Sequence, residues 1–282
     1  MKKLSLVLAV LLLSGCATTT TTKVTKKAVT SGALKTNNQE YFDYLKTLDS
    51  AASTLVSESY NKVLKSELGS KKNKKELNKK ISSAKKTYGN NLTKYAKMYG
   101  YKSGDAFMND VIVPSIRKNY AIEKYLKKNL SSVVKKHNAT WVKTVTVASE
   151  ATADSAAHSS VKDFNRLYRN TKTRNDYGLV SDLSTVSSTG VSGIPSVLSK
   201  NLKNIHNSKG VYRKVMKSGK KYIVACVYNT KPSAQIKESM VSILSTSGID
   251  TEVEAYYLKK NNFKVNDETL KKAVKKISKD FF

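Results

Sequence analysis

The chain has 282 residues, enough for about two domains, and carries a formal charge of +30 from 51 Lys and Arg against 21 Asp and Glu. Only Arg117, Arg166, Arg169, Arg174 and Arg213 supply guanidinium groups; the rest are Lys, whose hydrated point charge lacks the planar fork that nucleic-acid sites favour. The lysine field fits either a solvated surface or attraction to a polyanion, and the compartment decides which; outside the membrane, where the N-terminus directs the chain, DNA and RNA are poor matches.

At the N-terminus, Met1-Lys2-Lys3 is followed by an apolar run from Leu4 to Leu13 and by Leu13-Ser14-Gly15-Cys16. A basic flank and a short apolar segment make an export signal, too short to span a bilayer as a stable helix. Leu-Ser-Gly-Cys resembles the lipobox of bacterial lipoproteins, which implies cleavage after Gly15 and a diacylglycerol on the Cys16 sulfur. Residues 1–15 are thus expected to be a signal peptide. Outside the membrane, anionic headgroups, wall polymers and acidic clients become the plausible polyanions. Cys226 then has no disulfide partner, and its place in the apolar run Tyr222 to Tyr228 suits a buried small hydrophobe.

Residues 16–36, rich in Thr, Ser and Lys, have little to bury and read as a flexible tether. Thr36 to Gln39 has the form of a capping box, followed by Tyr41, Leu45, Leu48, Ala52, Leu55, Val63 and Leu64 at helical spacing. Gly69-Ser70 breaks that helix, with Gly suited to a left-handed turn and Ser to a new cap. Leu77, Ile81, Ala84 and Tyr88 stripe a lysine-covered helix, and Gly89-Asn90-Asn91 turns the chain. A short helix runs from Leu92 to Tyr99 and stops at Gly100. Ser103 caps a further pattern of Phe107, Val111, Ile116, Tyr120 and Tyr125, which Pro114 should kink or interrupt. The helical part ends near His137.

Thr140 to Ala148 then reads as a β-strand, since Val, Thr and Trp suit a pleated, half-buried surface. Glu150 to Asn170 looks like one helix with Ala157, Val161, Phe164 and Leu167 on its apolar side. Thr171 to Gly193 is Ser/Thr-rich and is expected to be surface loop with short strands. Pro195 opens a helix bearing Val197, Leu198, Leu202 and Ile205. Gly210 to Met216 and Lys221 to Tyr228 read as strands joined at Ser218-Gly219. Pro232-Ser233 starts the last helical region, with a bend at Gly248. Asn266 is expected to cap a final helix carrying Leu270, Ala273, Val274 and Ile277.

No metal or cofactor is expected. His137, His158 and His206 are far apart and lack metal-ligand spacing, the glycines form no phosphate cradle, and there is no nucleophile elbow. The 16 tyrosines could line a groove for unfolded chains, or simply cover the apolar faces of lysine-rich helices.

Glu40 to Lys46, Asn61 to Gly69, Lys74 to Lys79, Lys85 to Gly89 and Phe263 to Lys272 follow the lipobox in that order. In sequence and spacing they resemble segments of the PrsA-type foldase lipoproteins of Gram-positive bacteria. The resemblance implies an α+β protein. Segments 37–138 and 231–282 would form one helical chaperone lobe, with a parvulin-like domain at 139–230. Asp163 to Leu167 keeps that domain's helix pattern. It also implies an active-site floor with two facing histidines, and there the sequence departs. Thr144 stands at the first position and Tyr222 at the second; a shift of one residue would put Ile223 there instead. The middle motif, which in the family carries a Ser, an Asp and paired Gly, is degenerate over Asn170 to Leu179, where Gly178 and Asp176 are its remnants.

An isomerase must lower a rotation barrier of about 18–20 kcal/mol. Threonine and tyrosine hydroxyls can hydrogen-bond, so loss of both histidines weakens the case for activity without closing it. Three readings follow: a membrane-anchored extracytoplasmic foldase or chaperone acting on exported proteins, a retained peptidyl-prolyl isomerase, and a cationic wall- or membrane-binding structural lipoprotein. The resemblance leaves room for a homodimer.

Overall fold

A computed structural model describes residues 29–31, 34–36, 38–183 and 193–282. The signal segment, Cys16, the start of the tether, the Thr36 side chain of the expected capping box and residues 184–192 lie outside the described residues; Gln39, the other half of that box, donates to Asp43 at 3.1 Å. Among the described residues no helix is long and apolar enough to cross a membrane.

The fold is α+β. Two short strands, β1 (Val29–Ser31) and β2 (Leu34–Thr36), pair antiparallel inside the segment expected to be tether. Six helices follow: α1 (Asn38–Lys46), α2 (Asp49–Glu67), α3 (Lys71–Tyr88), α4 (Leu92–Met98), α5 (Gly104–Phe107) and α6 (Val113–Lys136). Then come β3 (Thr140–Val147), α7 (Glu150–Ala157), α8 (Val161–Asn170) and β4 (Arg174–Val180). After α9 (Ser196–Lys200) and α10 (Leu202–Ser208), a hairpin of β5 (Met216–Ser218) and β6 (Lys221–Tyr228) leads to α11 (Ala234–Leu244), α12 (Asp250–Lys260) and α13 (Glu268–Ile277). The chain divides into two compact units at Ala121 and Ile249: a helical unit from both ends of the chain, and an α+β unit, Ile122–Ile249.

Side-chain caps set several helix starts. Ser70 accepts from the Asn73 amide, Ser103 from Ala106 and Ser233 from Ile236. Gly69 does not take the left-handed backbone expected of it; a Cβ there would lie 2.9 Å from the Ser66 carbonyl oxygen, so close approach is what requires glycine. Pro114 sits in the first turn of α6, directly after a π-turn over Met108–Ile112. Proline cannot donate to the carbonyl four residues back and crowds it, so the preceding turn widens.

Several helix boundaries differ from expectation, beginning with a break at Thr47-Leu48 that divides the first helix into α1 and α2. Glu150 to Asn170 is two helices, because Ser160 accepts from the Asp163 amide at 3.1 Å and donates to its carboxylate at 2.7 Å, restarting the chain as α8. The Pro195 helix likewise divides at Asn201. The last cap is Asp267, which accepts from the Leu270 amide at 3.0 Å, one residue beyond Asn266. A carboxylate there also complements the helix dipole.

In the helical unit, α2 buries Ala52, Val56, Tyr60 and Leu64 at four-residue spacing, and α12 and α13 pack on it. Tyr60 meets Tyr257 with ring centroids 6.3 Å apart. Lys46 bonds Asp267 at 2.9 Å, Lys260 pairs with Glu67, and Phe281 is fully buried, so the late segment closes onto the early one.

Burial raises the Glu254 carboxyl above its usual range, against the opposing pull of Lys118. The folded state thus favours protonated Glu254. Ionising it costs stability at neutral pH, and the cost is absent below the unfolded carboxylate range of about pH 4. Glu254→Gln is expected to raise the urea midpoint at neutral pH and to leave it unchanged in acid, as read by denaturant titration at both pH values.

The α+β unit holds a four-stranded antiparallel sheet in the order β4-β3-β6-β5. Gly219, at φ +60, provides the tight link between β5 and β6. One face of the sheet packs Val142, Ile223, Ala225 and Val227 against Leu198, Leu202 and Ile205 of α9 and α10. The other packs Val145, Val224 and Cys226 against Ala153, Ala157 and Phe164 of α7 and α8. Cys226 is fully buried as expected, and burial pushes its thiol up to about 11.

Candidate functional site

The register of β3 against β6 decides the fate of the residues singled out in the sheet. Thr144 lies opposite Ala225 and Asn175, whereas Tyr222 lies opposite Val147. Paired residues share a face and successive side chains alternate, so Thr144 and Tyr222 stand on opposite faces. The structure does not bring this pair together. Ile223, the alternative one residue on, is on the Thr144 face, where it joins the α9–α10 core.

Thr144 is only 1% exposed. Its hydrogen-bond partner is Tyr177, whose phenol is raised by burial and lowered in turn by the Thr144 and Asn175 bonds. Around them the wall is Val142, Ile223, Ala225 and Leu198. The place where the floor of an isomerase site was expected is therefore a closed hydrophobic core with one satisfied hydroxyl. Tyr222 instead donates to Glu150 at 3.1 Å on the α7 side.

Asp176 is on that second face as well. Its Oδ1 accepts from the Gly178 amide at 2.9 Å and from the Tyr228 hydroxyl at 2.6 Å. The first bond is an Asx turn, which leads into Gly178 at φ +62 beside the bulge opposite Val142 and Lys143. Lys143 Nζ lies 5.2 Å from the Tyr168 ring centre and 5.5 Å from that of Tyr228. Burial, and then Asp176, raise the Tyr228 phenol. The Tyr228 hydroxyl bonds the Asp176 carboxylate and Lys143 lies over the Tyr228 ring, so the group links β3, β4 and β6.

The exposed chemistry lies in the helical unit. Tyr95, Met98 and Tyr99 follow one another at i, i+3 and i+4 at the end of α4, and they are 41%, 70% and 67% exposed. Tyr99 stacks on Phe107 with ring centroids 5.4 Å apart and planes 12° apart, and Tyr101 meets the same ring edge-on at 5.4 Å. At the other end Tyr88 meets Tyr95 edge-on at 5.8 Å. Phe107 itself is 4% exposed, so it is the buried base on which the exposed rings rest. An aromatic chain thus runs from the end of α3 across α4 to α5.

Two sequence features create it. Ala96 and Leu92 suffice to seat α4, which frees its other apolar positions to face water. Gly104 lets α5 come close: a Cβ there would lie 3.0 Å from Leu92 Cγ. Gly104→Ala is expected to cost about 1–3 kcal/mol by overpacking this joint, a loss that differential scanning calorimetry would register as a lower Tm. The sequence reading noted the tyrosines but could not assign them, because Tyr95, Met98 and Tyr99 have the spacing of a core stripe. The Lys143, Tyr168 and Tyr228 group was also missed, since only the register brings it together.

No protein-family profile and no curated protein matches the sequence. Among solved structures, the chain is similar to the peptidylprolyl isomerase PrsA of Bacillus cereus, with 18% identity over 89% of this chain and 98% of that one and a TM-score of 0.46. It is also similar to the foldase protein PrsA of Streptococcus pneumoniae, with 16% identity over 91% and 100% of the two chains and a TM-score of 0.40. PrsA of Bacillus subtilis is a third similar structure, with 15% identity over 89% and 98% and a TM-score of 0.38.

Proposed function

We propose that this protein is an extracytoplasmic chaperone, anchored to the outer face of the cell membrane through a lipid on Cys16, which assists exported proteins as they fold. Residues 1–15 serve as signal peptide and the segment after Cys16 as tether. The observation that carries the reading is the aromatic chain of the helical unit, in which Tyr95, Met98 and Tyr99 are exposed, Tyr88 is half-buried and Phe107 is the buried base. Aromatic and Met side chains offer large, adaptable contact area, which suits partners without a fixed sequence. The lysine field keeps the molecule close to anionic lipid or wall polymer.

In this reading the α+β unit has the scaffold of an isomerase domain without its chemistry. A catalyst of amide rotation needs a preorganised, reachable pocket. Thr144 is buried and Tyr222 points to the other face, so neither position supplies one.

Two assays test the proposal. Residues 17–282 are expected to suppress aggregation of a refolding secreted protein at moderate salt; failure to do so removes the chaperone reading and leaves the cationic structural lipoprotein. In a proline-peptide turnover assay no acceleration over the uncatalysed rate is expected. Acceleration that is lost in Thr144→Val or Tyr222→Phe would instead locate an active isomerase.

A further inference from the structure

We infer that the aromatic surface of α4 selects a chemical class of client: extended segments in which acidic residues are interspersed with aromatic or aliphatic ones. This rests on the chaperone reading above and adds the charge rule to it. Between Glu76 and Asp105 the chain has no acidic residue. Lys85, Lys86, Lys94, Lys97 and Lys102 lie in that same stretch, all exposed, and they flank Tyr88, Tyr95, Met98 and Tyr99. None of these five lysines forms an ion pair among the described residues. The surface is therefore an apolar strip bordered by uncompensated positive charge.

The physics of the border sets the preference. Like charges crowded along the end of α3 and through α4 repel one another, and a client carboxylate relieves that repulsion as it docks. Lysine stems are long and flexible, with three donors each, so they accept carboxylates at many positions and demand no fixed geometry. The apolar side chains of the segment meet the rings and Met98, whose unbranched thioether adapts to different shapes. A basic segment of the same hydrophobicity meets a repulsive rim. Long-range attraction also speeds encounter, an effect screened beyond about 8 Å at physiological salt.

Fluorescence anisotropy with three labelled peptides tests this. They share one set of Phe and Leu residues, alternating with Glu, Ser or Lys. The full mature protein is expected to bind the Glu peptide about tenfold more tightly than the Ser peptide at low ionic strength, with the gap closing as salt rises, and the Lys peptide weakest. Changing Lys85, Lys94, Lys97 and Lys102 to Gln together is expected to erase the advantage of the Glu peptide while Ser-peptide binding stays. Equal binding of the Glu and Ser peptides, or an advantage that survives the four substitutions, overturns the charge rule and leaves the chaperone reading intact. Binding of none of the three removes both. Binding of phosphatidylglycerol vesicles through these lysines with no peptide binding makes the surface a membrane contact and overturns the inference.

Discussion

Changing Tyr95, Met98 and Tyr99 together to Ser is expected to abolish most of the protein's ability to hold unfolded chains while leaving it folded. The three side chains are 41%, 70% and 67% exposed, and exposed substitutions usually shift stability by within about 0.5 kcal/mol each. The exception is the Tyr99 ring on Phe107, whose loss costs about 0.5–1.5 kcal/mol. Both lie well inside the margin of a typical domain, about 5–15 kcal/mol. Binding energy, by contrast, concentrates in a few aromatic anchors, each costing about 2 kcal/mol or more when truncated. The concentration of variant needed to prevent aggregation should therefore rise by at least about thirtyfold. A circular dichroism spectrum and melting curve close to those of the parent protein would show that the loss is one of surface.

The second large effect concerns stability. Phe164 has no exposed surface and sits between Ala153, Ala157, Val145, Val224 and Cys226, where α8 meets the sheet. Small alanines surround it and cannot swell to refill the space, so Phe164→Ala should cost about 3–5 kcal/mol through lost transfer energy and a lasting cavity. Trp141 is the only tryptophan and lies on β3 of the same unit, so its fluorescence reports that unit's unfolding. The urea midpoint read from Trp141 should fall sharply. Where Trp141 reports an unfolded sheet the variant should still suppress aggregation, because the aromatic chain belongs to the helical unit. Holding activity lost in step with the Trp141 signal would contradict that assignment.

Local chemistry made much of this fold legible. Ser70, Ser103 and Ser233 announced helix starts, β3 showed in its run of Val and Thr, and Pro114 marked a distortion that became a π-turn. Where several residues could cap, the reading slipped. Asn266 and Asp267 are adjacent and both good caps, and the apolar positions of α7 and α8 fall close enough in phase to hide the break at Ser160. The site was harder. Side chains on a strand alternate with period two, so an error of one residue in β6 moves Tyr222 to the opposite face and replaces it by Ile223. Nothing in the local sequence sets that register; it follows from the pairing of Thr144 with Ala225. The aromatic surface was illegible for another reason. A helix pattern shows which residues share a face, but only packing shows whether that face is covered, and on α4 it is not.

Site-directed photo-crosslinking measures the central claim most directly. A photoreactive phenylalanine analogue replaces Tyr99 in one preparation and Lys217, exposed on β5 of the sheet, in another. Each is irradiated with a radiolabelled unfolded secreted protein. Client adducts at position 99 and none at position 217 are the predicted result; adducts at 217 with none at 99 would contradict it.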